Sequence, residues 1–303
     1  MKIAAVVITL FFLTLGDGQS SVSFLEPNCG ISIAGSRKST TRVIGGKVAD
    51  MFGNPWMAFI QSSVLCGGSL ITNRFVLTAA HCRSNTPAVV YLGEFDRSTI
   101  TDCSTTACMP NAIGIHVDAQ IGHPSYSTSG HQNDIALFRL ANPVQYTDYI
   151  RAICLLTNFD PLPQIRTFTA TGWGETAYSL GSNKLLTATL MHVDRSYCSI
   201  YGRVDSSQIC VAGYESHVCR GDSGGPLMAT VNIKGANRVI QAGVVSYGHQ
   251  NCRHVSVFTN VMHHINWIAD VVRRGSAQNT QFQPKVQRPT YSYYHNTYWY
   301  IYG

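Results

Sequence analysis

From Trp56 to Thr259 the chain is cut into short runs of Val, Ile, Thr and aromatic residues, separated by Gly, Pro, Asn and Ser. The runs fall at Trp56 to Ile60, Ser69 to Thr72, Phe75 to Thr78 and Val89 to Leu92. Later ones fall at Ile135 to Leu140, Thr167 to Thr171, Leu185 to Val193, Val239 to Val245 and Val255 to Thr259. That spacing predicts an all-β antiparallel sandwich or barrel. One segment departs from it: Ile265, Ile268, Ala269 and Val272 recur at helical spacing and predict a single closing helix over His263 to Val272. At 303 residues the chain has room for one large domain or two smaller ones.

The two ends differ from this middle. Met1-Lys2 and the apolar run Ile3 to Leu15 make a basic start and a stretch too short to span a bilayer comfortably, and Gly16-Asp17-Gly18 offers a cleavage site. Residues 1–18 therefore read as a secretory signal peptide, and a secreted, extracellular product without a membrane span is expected. Residues 19–42 are polar and end in Ser36-Arg37-Lys38-Ser39-Thr40-Thr41-Arg42, an exposed, protease-accessible pro-segment. Residues 274–303 turn to Gln, Asn, Ser and Pro and then to a Tyr-rich stretch, Tyr291 to Tyr302. This composition predicts a disordered tail, either a solvated extension or an adhesive, partner-binding element.

Ten cysteines in an oxidising compartment predict disulfides, although the count alone cannot pair them. The net charge of +6 is carried by only 13% charged residues with no Lys/Arg run, so no nucleic-acid partner is expected.

In Cys219-Arg220-Gly221-Asp222-Ser223-Gly224-Gly225-Pro226 glycines flank a serine on both sides, which permits a tight turn and close approach of backbone N–H groups to a substrate. By itself the stretch also suits an ordinary turn. A nucleophilic serine needs a base and a third group that orients the base. Leu77-Thr78-Ala79-Ala80-His81-Cys82 and Asn133-Asp134-Ile135-Ala136-Leu137 supply both, upstream and in the order His, Asp, Ser. An α/β-hydrolase runs Ser, Asp, His and embeds its serine in Gly-x-Ser-x-Gly, so it does not fit. On these three motifs the chain from Val43 to about Val272 resembles a trypsin-like (chymotrypsin-fold) serine protease. Its short Cys103 to Cys108 loop is similar to that of insect extracellular cascade proteases.

The resemblance implies two six-stranded antiparallel β-barrels with a C-terminal helix, forming a protease domain over residues 43–273. It implies Ser223 as nucleophile, His81 as general base and acid, Asp134 as the group that fixes the imidazole, and the N–H groups of Gly221 and Ser223 as an oxyanion hole. Arg42-Val43-Ile44-Gly45-Gly46 resembles the family's activation junction: cleavage after Arg42 would free the Val43 amine to pair with Asp222, so the chain is expected to be a zymogen. The disulfides implied are Cys29–Cys154, Cys66–Cys82, Cys198–Cys210 and Cys219–Cys252, which leaves Cys103 with Cys108.

Substrate binding is assigned to His217, Arg220, Ser246, Tyr247, Gly248 and Ser256. Trypsin-like members that cut after Arg or Lys carry Asp at the pocket floor, and His217 stands there in this chain; cleavage after Arg or Lys is not expected. A small, polar or aromatic P1 residue and an acidic one both remain open. Gly93-Glu94-Phe95-Asp96 resembles the start of the family's calcium loop, but Met109 to Ile113 lack the downstream carboxylate, so a metal-free loop is favoured over calcium near Glu94 and Asp96. The partners implied are protein or peptide substrates, an Arg-specific activating protease and serpin-type inhibitors. The alternative is a catalytically weak protease homologue that binds a partner in an extracellular cascade.

Overall fold

The computed structural model describes residues 22–33, 47–158, 164–175, 181–213, 218–248, 252 and 254–277. Two short strands, β1 (Ser23–Phe24) and β2 (Lys47–Val48), come first. β3 (Met57–Gln61), β4 (Leu65–Thr72), β5 (Phe75–Thr78), β6 (Val89–Leu92), β7 (Ile113–Gly122) and β8 (Ala136–Leu140) then close an antiparallel barrel in the order β3-β4-β5-β8-β7-β6. β9 (Leu156–Asn158) pairs with β1 and ties the early segment to the chain between the barrels. The second barrel comprises β10 (Thr167–Gly172), β11 (Leu186–His192), β12 (Gln208–Gly213), β13 (Pro226–Ile233), β14 (Ala236–Gly248) and β15 (Ser256–Asn260). Its order is β10-β13-β14-β15-β12-β11; pairing of β10 with β11 closes it, and β2 adds alongside β11. The chain is thus two six-stranded antiparallel barrels followed by one helix, α1 (Ile265–Ala277).

Local patterning explains the strands. In β10, Phe168 and Ala170 are buried while Thr167 and Thr169 face outward, the period of two that a sheet with one solvated face requires. β5 is buried at every position because its outer face is also covered, with Phe75 lying against α1 at Gly275. α1 buries Ile265, Ile268 and Val271, and full burial of one such side chain contributes roughly 1.5–3 kcal/mol. The helix runs past residue 273: Asp270 pairs with Arg273 and Arg274, and Ser276 Oγ donates to Val272 O.

The barrels meet through a seam of apolar side chains and a few satisfied polar groups. Trp56 Nε1 donates to Met228 Sδ at 3.0 Å, Thr171 Oγ1 to Met57 Sδ at 3.0 Å, and Ser69 Oγ to Gln241 Oε1 at 2.5 Å. Each pairs a residue from one barrel, or the approach to it, with one from the other. The candidate site lies at this seam.

Candidate active site

β5 leads directly into a short 3₁₀ turn, Ala80–Cys82, that carries His81, and the Cys66–Cys82 disulfide fastens the turn to β4. Asp134 stands just before β8, after Asn133, whose φ of 53° turns the chain sharply into the strand. Its carboxylate is completely buried and reads His81 twice: the backbone N donates to Oδ1 at 2.9 Å, and Nδ1 lies 2.7 Å from Oδ2. An ionised carboxylate accepts only, so Nδ1 is the donor in this bond and Nε2 is the ring nitrogen left for a partner.

The second barrel completes this arrangement. Ser246 Oγ, from β14, donates to Asp134 Oδ2 at 2.5 Å, and Thr259 Oγ1, from β15, donates to Asp134 O at 2.7 Å. Burial works to raise the Asp134 carboxyl, but the bond and charge of His81 and the Ser246 hydroxyl outweigh it and hold the group below the ordinary carboxylate value.

Ser223 sits in the turn that enters β13. Gly224, at φ 79°, lies so close to Thr78 Oγ1 and Ala79 N that a side chain there would collide with them, and Gly67 N donates to Ser223 O at 2.8 Å. These contacts press the serine against the segment that runs into His81. Among the described residues no hydrogen bond joins Ser223 Oγ to His81, a contact that often forms only with substrate in place. Within the turn, Asp222 N donates to Cys219 O, Gly224 N to Val245 O and Gly225 N to Asp222 O. Gly221 N and Ser223 N are left without an acceptor among the described residues, two donors in one tight turn.

The trypsin family model matches residues 43–268. The chain belongs to the trypsin family. It is 38% identical over 280 residues to melanization protease 1 of Drosophila melanogaster, a match that covers 82% of this chain and 68% of that one. CLIP domain-containing serine protease B4 of Anopheles gambiae is 37% identical over 271 residues, covering 81% and 72% respectively. Among solved structures, the Drosophila Grass clip serine protease of the Toll pathway superposes with a TM-score of 0.69 at 33% identity, covering 81% of this chain and 75% of that one. The relatives are thus insect serine proteases, and the two-barrel fold is that of the family.

In this family member Asp222 occupies a tight polar socket. Gly174 N donates to its Oδ1 and Cys219 N to its Oδ2, each at 2.9 Å, and a side chain at Gly174 would meet the carboxylate. Burial pushes its pKa up to about 6, against the pull of those two N–H groups. The activation residues Arg42 and Val43 lie outside the described residues, as does His217.

The remaining expected binding residues lie on two segments, the turn before Ser223 and the paired ends of β14 and β15. Arg220 is exposed, and its carbonyl accepts from Glu175 N at 2.6 Å. Tyr247 and Gly248 pair with Val257 and Ser256 across β14 and β15, and the Ser256 hydroxyl faces Gly248. Ser246 is buried, and its hydroxyl donates to Asp134. Two residues not singled out from the sequence join Tyr247: His131, at φ 52°, packs on it with ring centroids 5.0 Å apart, and Tyr201 meets it edge-on at 5.8 Å. They come from distant segments, and nothing local marks them.

Five disulfides are formed: Cys29–Cys154, Cys66–Cys82, Cys103–Cys108, Cys198–Cys210 and Cys219–Cys252. The loop between β6 and β7 is held by its own side chains. Asp102 accepts from Phe95 N, Asp96 N and Thr99 Oγ1, while Asp96 accepts from Ser98 and has the Lys184 ammonium at 3.8 Å. Burial, then the charge of Asp102, raises the Glu94 carboxyl above its ordinary value. The Asp96 and Asp102 oxygens are thus engaged by protein donors and a lysine.

Proposed function

We propose that the chain is a secreted serine endopeptidase of an extracellular proteolytic cascade, made as a zymogen and activated by cleavage after Arg42. The observation that carries the reading is the pairing of a doubly bonded Asp134–His81 unit, its carboxylate buried, with two N–H groups on either side of Asp222 that have no acceptor among the described residues. In this reading His81 Nε2 takes the proton of Ser223 Oγ as that oxygen attacks the scissile carbonyl. The Gly221 and Ser223 N–H groups receive the developing oxyanion, and His81 returns the proton to the leaving amine. Water then releases the acyl group by the same steps.

Activation follows from the state of Asp222. A carboxylate in this socket is desolvated, and a Val43 ammonium brought to it would restore its charge and order the turn that carries Ser223. The pairing raises the amine above its ordinary value of about 7.7–8.0, so the ammonium is fully charged below that range and the active conformation fades as pH rises through the raised value. Full activity well above about pH 10 would contradict this switch. Protein substrates, an activating protease that accepts Arg and serpin-type inhibitors are the partners of such an enzyme.

Cleavage after Arg or Lys is disfavoured. Neither Ser256 nor Arg220 brings a negative charge, and burying a cationic head group without a counterion costs several kcal/mol. The β6–β7 loop works without calcium. The deciding experiment is fluorophosphonate labelling of Arg42-cleaved protein beside Ser223→Ala, followed by a positional peptide library. Labelling that needs Ser223 supports the enzyme; a correctly cleaved chain that does not label would make it a binding homologue.

A further inference from the structure

A cleft of about 880 Å³ opens on the first-barrel side of His81, between residues 83–87 and 117–128. One wall is fixed by hydrogen bonds: Ser84 N donates to Gln120 Oε1 at 2.9 Å, Gln120 Nε2 to Thr86 O at 3.2 Å, and Ser63 N to Thr86 Oγ1 at 3.1 Å. A wall held this way is formed before a ligand arrives and needs little ordering to bind one. Beyond His81 the cleft holds two charged side chains, and they are not equivalent. Asp118 is matched by two arginines, Arg139 at 2.7 Å and Arg74 at 3.4 Å. Arg83 is exposed, forms no ion pair with a described residue, and lays its guanidinium over Gly122, where a side chain would displace it. The cleft therefore presents a net positive charge beside the catalytic histidine.

We propose that this cleft is a subsite for an acidic side chain of the protein substrate, held by Arg83 while the scissile bond lies at Ser223. The inference rests on the proteolytic reading above and adds the chemistry of the substrate to it. A planar guanidinium suits a carboxylate because it can offer two parallel N–H donors. Arg83 is exposed, so its contribution is one of selection among substrates rather than of tight binding.

The test uses peptides that share one sequence around the scissile bond and carry Glu, Gln or Lys at each outlying position in turn, presented to the full chain cleaved at Arg42. At one position Glu is expected to exceed Gln about two- to fivefold in kcat/KM, the range an exposed ion pair supplies. The gain should appear in KM and vanish near about 1 M salt. Arg83→Gln should remove the preference, and Arg83→Glu should invert it toward Lys. Equal rates for Glu and Gln at every position, or a preference that survives Arg83→Glu, would overturn the subsite. A second readout needs no turnover: the affinity of the labelled Glu peptides for the Ser223→Ala chain, read by fluorescence anisotropy, should fall at least about twofold when Arg83→Glu is added. If the wild-type chain cleaves no peptide the proteolytic reading fails, while the anisotropy comparison still decides the subsite.

Discussion

Asp134 takes hydrogen bonds on both carboxylate oxygens and on its carbonyl, and the donors come from both barrels. Ser246 is the donor to the carboxylate that can be removed without touching His81. A charge-assisted bond of this kind is worth roughly 1.5–3 kcal/mol, so Ser246→Ala is expected to lower kcat by about tenfold or more and to move KM much less. Steady-state kinetics on the cleaved protein checks the split. Two other groups, His264 and Asp222, contribute to the pH dependence of stability in opposite senses. Burial, reinforced by His123 and His263, drives His264 from 6.5 down to about 4, so it is neutral in the fold while the unfolded chain takes up a proton. Its contribution to stability is lost as pH falls from about 6.5 to about 4. Asp222 acts in the opposite sense: its raised value means that the fold binds the proton first, so it gains stability as pH falls through about 6 toward the ordinary carboxylate value. Thermal melts of His264→Phe and Asp222→Asn should separate the two. The first should flatten the acid loss of melting midpoint and the second should deepen it.

At the scale of elements, α1 shows how packing overrides propensity. Glycine inside a helix ordinarily costs about 1 kcal/mol relative to alanine, so Gly275→Ala would be expected to stabilise. Here a Cβ would stand 2.5 Å from Phe75 Cζ, a ring atom that cannot swing away. Gly275→Ala should therefore lower the melting midpoint, and Phe75→Leu in the same chain should recover part of the loss. The β6–β7 loop offers a second test. With Asp102 bonded to Phe95 N, Asp96 N and Thr99 Oγ1, adding calcium or a chelator should leave the melting midpoint unchanged, whereas Asp102→Asn should lower it. A rise of several degrees with calcium would mean that the acidic oxygens can be recruited to a cation after all.

For the whole molecule the critical join is between the barrels, because His81 and Asp134 belong to the first and Ser223 and Ser246 to the second. The Cys29–Cys154 disulfide spans 125 residues and fixes the early segment to the chain between them. After cleavage at Arg42 the light chain should stay attached, giving one band on a non-reducing gel and two on a reducing one. Two bands without reductant would place Cys29 elsewhere.

Much of this was legible in the sequence. The runs at β3 to β6, β8, β10, β11, β14 and β15 announce themselves because strand patterning is local, and each is bounded by turn residues. β7, β12 and β13 carry weaker marks: β7 mixes Gly114, His116, Asp118 and Gln120 with its apolar positions and is exposed along much of its length, so its register comes from β6 and β8. The types and order of His81, Asp134 and Ser223, and the glycines around the serine, were likewise written in the chain, since chemistry restricts which side chains can do the work. What only the tertiary structure decided is who serves whom. Ser246 turned to Asp134, His131 and Tyr201 gathered on Tyr247, and Arg83 laid over Gly122 are all products of segments far apart in sequence. No local pattern encodes such contacts, because they depend on where two closed barrels come to rest against each other.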